Sequence, residues 1–230
     1  MVAAETNLEF LDNPIYYALS TSQADLAIGD DLAKRYPPDY TCLAGLKDES
    51  DASFESLGKV TAGATVRIIT TDDSIAVPKK WTIKNSFTVS QMTCPKLIEC
   101  KEIEFETLTS NDVPAMLALA ELAKPGPFYD RTIDLGTFVG IKDGDVLVAM
   151  AGQRMKLPGF EEISAVSTHP DYRSRGYARA LVSGLSKLIH GRGNVPFLTV
   201  RTDNAAGIRS YESIGFRFRR SLRFNFIARN

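Results

Sequence analysis

From residue 102 onward, apolar and polar positions alternate regularly enough to predict a succession of elements. Residues 102–108 alternate with a period of two, as a strand with one buried face does. Thr109-Ser110-Asn111-Asp112 then supplies capping side chains. Residues 113–122 carry Pro114 in the first turn and apolar side chains at 113, 116, 117, 119 and 120, which predicts a helix. Lys124-Pro125-Gly126-Pro127-Phe128 stops it. Residues 138–141 and 146–152 flank Lys142-Asp143-Gly144-Asp145, whose Asp-Gly pair is a hairpin turn. Residues 161–168 form another strand, ended by His169-Pro170. Residues 177–190 place Ala178, Leu181, Val182, Leu185, Leu188 and Ile189 on one helical face. A strand at 197–200 and a short helix at 205–213 follow, with Gly215 where a left-handed C-cap belongs. Phe216, Phe218, Leu222, Phe224 and Phe226 share one parity and Arg217, Arg219 and Arg223 the other, a long half-buried strand.

The first hundred residues read as a smaller mixed unit. Apolar positions between 15 and 32 fit helices only in patches, and Tyr36-Pro37-Pro38-Asp39 is a firm break. Val66-Arg67-Ile68-Ile69-Thr70 is a short β-branched strand, and residues 81–92 alternate weakly, as one strand or two. No catalytic spacing occurs here. A boundary near Cys94-Pro95 to Lys101 divides the chain into an N-terminal α+β domain, 1–100, and a second domain, 101–230. The order of elements in the second is that of an α+β fold.

Charge and composition narrow the function classes. The 230 residues hold 27 Lys and Arg against 28 Asp and Glu, with ordinary hydrophobic content and no apolar run long enough to span a bilayer. The first residues, with Glu5 and Glu9 and no basic stretch, are unlike a secretory leader, so a cytoplasmic protein without a membrane partner is expected. Three cysteines, Cys42, Cys94 and Cys100, and two histidines, His169 and His190, lack metal-site spacing, so no metal is expected. The balance is uneven along the chain. Residues 171–230 carry 12 Lys and Arg, 11 of them Arg, against only Asp171, Asp203 and Glu212. Such a segment either meets an anion, phosphate above all, or attracts the acidic remainder of the chain.

One stretch carries chemistry: Val166-Ser167-Thr168-His169-Pro170-Asp171-Tyr172-Arg173-Ser174-Arg175-Gly176-Tyr177-Ala178. A strand ends, a turn rich in cations and small residues follows, and a helix begins. Backbone N–H groups at a helix start lack intrahelical acceptors, and the dipole adds positive charge, so the turn suits a pyrophosphate. It is neither a P-loop nor a dinucleotide fingerprint, since the required glycines and the Lys-Ser/Thr pair are missing.

The pattern Arg173-x-x-Gly176-x-Ala178 after Val166-x-Thr168-x-Pro170 resembles the acyl-CoA pyrophosphate loop of the GNAT superfamily of N-acyltransferases. Asn204, Tyr211 and Gly215-Phe216 resemble the family's second signature, with Gly207 standing where Ala is usual. The resemblance covers about residues 102–230. It implies a GNAT-type mixed, mostly antiparallel sheet flanked by helices. The segments around Lys124–Phe128, Leu157-Pro158-Gly159, Asn13-Pro14 and Tyr36-Pro37-Pro38 are similar to a subgroup whose smaller N-terminal domain is a degenerate GNAT half.

The resemblance also implies roles. Backbone groups of Val166 and Thr168, on either side of Ser167, would pair with pantetheine, and the amides of Ser174, Arg175, Gly176, Tyr177 and Ala178, with the Arg173 and Arg175 side chains, would hold the pyrophosphate. Asn204 would bond the pantetheine arm, and Tyr211 would protonate the departing thiolate. For the base that takes the ammonium proton, Glu162 is the first candidate and Glu161 the second; consecutive strand residues face opposite ways, so only one can reach the cleft. Gln153 occupies a position where similar proteins often carry Glu. His169, beside Pro170, reads as structural, and Arg219-Arg220 are candidates for neighbours of the adenosine 3′-phosphate. The expectation is therefore an N-acetyltransferase that moves an acetyl (or other acyl) group from acetyl-CoA to a primary amine by direct attack. The acceptor is a small molecule or a peptide, with no nucleic acid partner, and the protein is a monomer or homodimer. The alternative is a non-catalytic acyl-CoA sensor with the same fold.

Overall fold

The computed structural model describes residues 7–71, 75–124 and 126–230, so that Glu5 and Pro125 lie outside the described residues. In chain order the elements are α1 (Pro14–Ser20), β1 (Ile28–Gly29), β2 (Ala33–Arg35), β3 (Ala44–Leu46), α2 (Asp51–Thr61), β4 (Val66–Thr70), β5 (Trp81–Thr93), β6 (Glu106–Thr107), α3 (Val113–Ala123), β7 (Phe138–Asp143), β8 (Val146–Leu157), β9 (Phe160–Thr168), α4 (Tyr177–Gly191), β10 (Val195–Arg201), α5 (Ala205–Glu212) and β11 (Arg217–Arg229). Strands β1, β2 and β3 form a small antiparallel sheet, and the other eight form one large sheet in the order β4-β11-β5-β10-β9-β8-β7-β6. Only the β9–β10 pair among these is parallel. This is a GNAT-type mixed sheet flanked by helices.

Helices begin and end where local chemistry dictates. Ser50 caps α2 by accepting from the Ser53 backbone N–H, and Pro114 sits in the first turn of α3. Helix α3 closes on Lys124 in the left-handed region. Helix α4 packs Leu181, Leu185 and Ile189 against Val148, Ile163 and Leu198 on one side of the sheet. On the other side Leu11, Ile15 and Leu19 from the N-terminal segment cover Met155, Phe160 and Phe197. With both faces covered, the middle of β8 is buried without alternation. No helix among the described residues is long and apolar enough to cross a membrane.

Three features bear on the sequence expectation. Residues 81–93 form one strand, one of the two alternatives that the pattern allowed, and it lies between β10 and β11, so strands from both sides of residue 100 share one continuous sheet. Residues 102–108 contribute only the two-residue strand β6. Ahead of it Ile103 packs on the α4 core, and the Phe105 ring lies on Gly184, where an added Cβ would come within 2.4 Å of it. Those side chains dock on a helix instead of pairing with a strand. Third, β11 is bulged between Phe218 and Arg220, which shifts its parity and leaves Phe218 58% exposed.

Candidate functional site

The site begins where two parallel strands part. β9 and β10 pair only at Phe160–Val195, Glu161–Pro196 and Glu162–Phe197. Beyond that point β10 bonds only to β5, while β9 stays with β8 through an irregular register between Gly152–Ser164 and Met150–Ser167. Ala165, inside this bulge, has a φ of 53°, a left-handed value that a non-glycine residue rarely adopts. The wedge between the strands is a cavity of about 430 Å³, lined by Ile163 to Val166 from β9 and Leu198 to Arg201 from β10.

The wedge opens into a second cavity of about 780 Å³ over the start of α4. There Ser174 and Gly176 have φ values of 63° and 85°, so the chain curls immediately ahead of Tyr177. Gly176 is the N-cap residue and no side chain caps the helix, which leaves the first-turn N–H groups available to an anion. Arg173, Arg179 and Arg209 line this cavity, and no Asp or Glu does among the described residues.

Helix α5 joins the two cavities. Asn204 and Tyr211 line both. The Asn204 Oδ1 accepts from the Gly207 backbone N–H at 2.9 Å and so caps α5, which fixes the side chain and leaves its amide N–H groups for a guest. An Ala Cβ at Gly207 would come within 2.6 Å of the Asn204 Nδ2, so glycine permits this conformer. Tyr211 is 9% exposed, and burial pushes its phenol up to about 12. It is protonated at neutral pH.

The far end of the wedge is built by the N-terminal part of the chain. Arg67 from β4, Asn85 and Phe87 from β5, and Phe224 and Phe226 from β11 close it. The Arg67 guanidinium lies over the Phe224 and Phe226 rings at 4.9 and 5.5 Å. It is 4% exposed, and its Nε and Nη2 have no hydrogen-bond partner. Burial and the nearby Arg154 pull it down to about 10, so it carries its charge at neutral pH.

The structure separates the remaining candidates. Val166, Ser167, Thr168, Arg173, Ser174, Gly176, Tyr177 and Ala178 all line the cavity over α4. The Arg175 side chain does not; it stacks on Tyr172 at 4.5 Å and bonds the Asp171 carbonyl. Arg179 and Arg209 take its place. Ser167 turns its hydroxyl back to the Ala165 carbonyl. Glu162 is fully buried, does not line the wedge, and accepts at 2.8 Å on each oxygen from Arg154 Nε and Nη2. Burial opposes the Arg154 charge, but the Glu162 carboxylate more than offsets it and holds the guanidinium above its ordinary value. Glu161 is engaged as fully, by Gln153, Arg192 and Asn194. Neither carboxylate lines the wedge, and both are engaged in ion pairs. Gln153 is buried with them, and its Oε1 accepts from the Thr137 N–H. His169 accepts from the Asp171 N–H and shapes the turn. Arg219 and Arg220 lie away from the cavity over α4, both held by Asp12.

Known proteins resemble this chain in sequence and in fold. Residues 138–224 match the family described as FR47-like protein. The N-alpha-acetyltransferase RimI of Mycobacterium tuberculosis is 35% identical over 133 residues, which are 56% of this chain and 77% of the relative. A crystal structure of a GNAT-family protein from Novosphingobium aromaticivorans superposes with a TM-score of 0.88 at 31% identity, covering 96% of this chain and 98% of that one. A GCN5-related N-acetyltransferase from Kribbella flavida shares the fold, with a TM-score of 0.61 at 16% identity over 93% of this chain and 95% of its own. The chain belongs to the GNAT family of N-acetyltransferases, enzymes that use acetyl-CoA.

Proposed function

We propose that the protein transfers an acetyl group from acetyl-CoA to a primary amine by direct attack, with Tyr211 as the general acid. The observation that carries this reading is the continuity of the site. One path runs from the uncapped start of α4, through the open edge of β9, to the buried phenol of Tyr211. Arg173, Arg179 and the α4 N–H groups would hold the pyrophosphate. Backbone groups of Val166 and Thr168 would pair with pantetheine as an added strand does. The Asn204 amide would donate to the same arm.

Acetyl-CoA supplies the thioester that the amine attacks. N–H groups along the open β9 edge polarise its carbonyl. Tyr211 donates a hydrogen bond from its hydroxyl to the leaving sulfur, and the departing thiolate takes its proton from solvent. With the phenol near 12 and a thiol near 8.5, full transfer is uphill, so Tyr211 acts mainly through a hydrogen bond that strengthens as negative charge develops. No Asp or Glu lines the wedge among the described residues, whereas Arg67, Arg154 and Arg201 do. These positive neighbours favour the neutral amine and release its proton to water. That role replaces a dedicated carboxylate base.

Release of CoA thiol from acetyl-CoA over a panel of amines is the test. Turnover with at least one amine supports the reading. Tight CoA binding without thiol release on any amine would make the protein a sensor of acyl-CoA instead.

A further inference from the structure

The wedge contains a charge that no carboxylate of the protein matches. Arg154 is matched by Glu162 and Arg201 by Asp203, each through two hydrogen bonds. Arg67 has no such partner. It is buried, fixed by its two aromatic neighbours, and anchored by its backbone N–H to the Cys42 carbonyl at 2.8 Å. A desolvated cation with unpaired N–H groups is costly to keep, so the fold retains it against the usual preference. Nε and Nη2 are the atoms without a partner, and the guanidinium, whose planar fork suits a carboxylate, belongs to a residue that lines the wedge.

We propose that the acceptor is a small amine bearing its own carboxylate, an amino-acid-like molecule, and that Arg67 holds this carboxylate. The assignment rests on the acetyl-transfer reading and narrows its substrate. Electrostatics agree, because a purely cationic amine would enter a wedge lined by several cations and no carboxylate among the described residues. A molecule that brings its own anion meets no such barrier. Size agrees as well, since about 430 Å³ must hold the end of pantetheine together with the acceptor.

The experiment uses the full chain with saturating acetyl-CoA and measures thiol release. Amino acids are each paired with their own carboxamide, and short peptides are assayed alongside. The expected result is an amino carboxylate whose kcat/KM exceeds that of its carboxamide about tenfold or more, mainly through KM. Arg67→Met should bring that ratio near one while CoA affinity, measured by calorimetry, is unchanged. Arg67→Lys should retain part of the preference. The wild-type ratio needs no variant, so it decides the matter even if Arg67→Met does not fold. Carboxamides used as well as the acids, acceptance of peptides alone, or a folded Arg67→Met that keeps the ratio would overturn the assignment but leave acetyl transfer standing. Failure to bind CoA, or to release thiol with any amine, would overturn both.

Discussion

Arg154 grips both carboxylate oxygens of Glu162, each at 2.8 Å, with the two side chains only 10% and 1% exposed. The pair stands behind the wedge and holds the Arg154 guanidinium at its wall. Glu162→Gln would strand that cation beside Arg67, so urea denaturation should show a loss of about 3–5 kcal/mol. The double variant Arg154→Met with Glu162→Leu should recover most of it. A single variant as stable as wild type would mean that the pair is not a structural unit.

Tyr211→Phe should lower kcat by about 10²-fold or more with little change in CoA affinity. The direction of its shift sets the pH dependence. Burial raises the phenol to about 12, so the acid keeps its proton as pH rises through 10, where an exposed tyrosine would begin to lose it. The wild-type rate should therefore climb as the acceptor ammonium ionises and show no falling limb from Tyr211 below pH ~10. A limb near pH 8–9 that disappears in Tyr211→Phe would contradict the burial.

Arg173→Ala should weaken CoA binding about tenfold by removing a phosphate partner. Gly176→Ala isolates backbone strain, because an added Cβ would meet nothing closer than 3.6 Å but the φ is 85°. It should cost about 1 kcal/mol of stability. Gly176→Glu adds a negative charge to the same turn and should weaken CoA binding strongly. Calorimetry with unchanged affinity in both Arg173→Ala and Gly176→Glu would remove this turn from the binding site.

Asn204→Asp separates two roles of one side chain. Aspartate caps a helix as well as asparagine does, so thermal stability should hold. The amide donor is lost and a negative charge gained, so CoA affinity should fall about tenfold. If stability fell and affinity did not, Asn204 would be a cap and nothing more.

The candidate turn was legible in the sequence because its chemistry is local. Arg173, Gly176, Ala178, Asn204 and Tyr211 lie within 40 residues on elements whose periodicity is clear, and the fold brings all of them to the joined cavities. The far end of the wedge was not legible. Arg67 interrupts a β-branched run in a strand whose five residues are all buried, and that mismatch was the one available signal. Its meaning depends on Phe224 and Phe226, more than 150 residues away. The pairing of Glu161 and Glu162 was hidden for a related reason. Two acidic residues before a binding loop suggest a base, and only tertiary contact reveals that Arg192 and Arg154 have already claimed them.

The position of β5 has a consequence for biogenesis. Its neighbours in the sheet, β10 and β11, are made more than a hundred residues later. During translation a thirteen-residue strand must wait with both edges unpaired until nearly the whole chain has left the ribosome. Docking is then a late, long-range event, slow by the contact-order relation. A fragment trimmed to residues 101–230 would never receive this interior strand, and its exposed edges would invite aggregation.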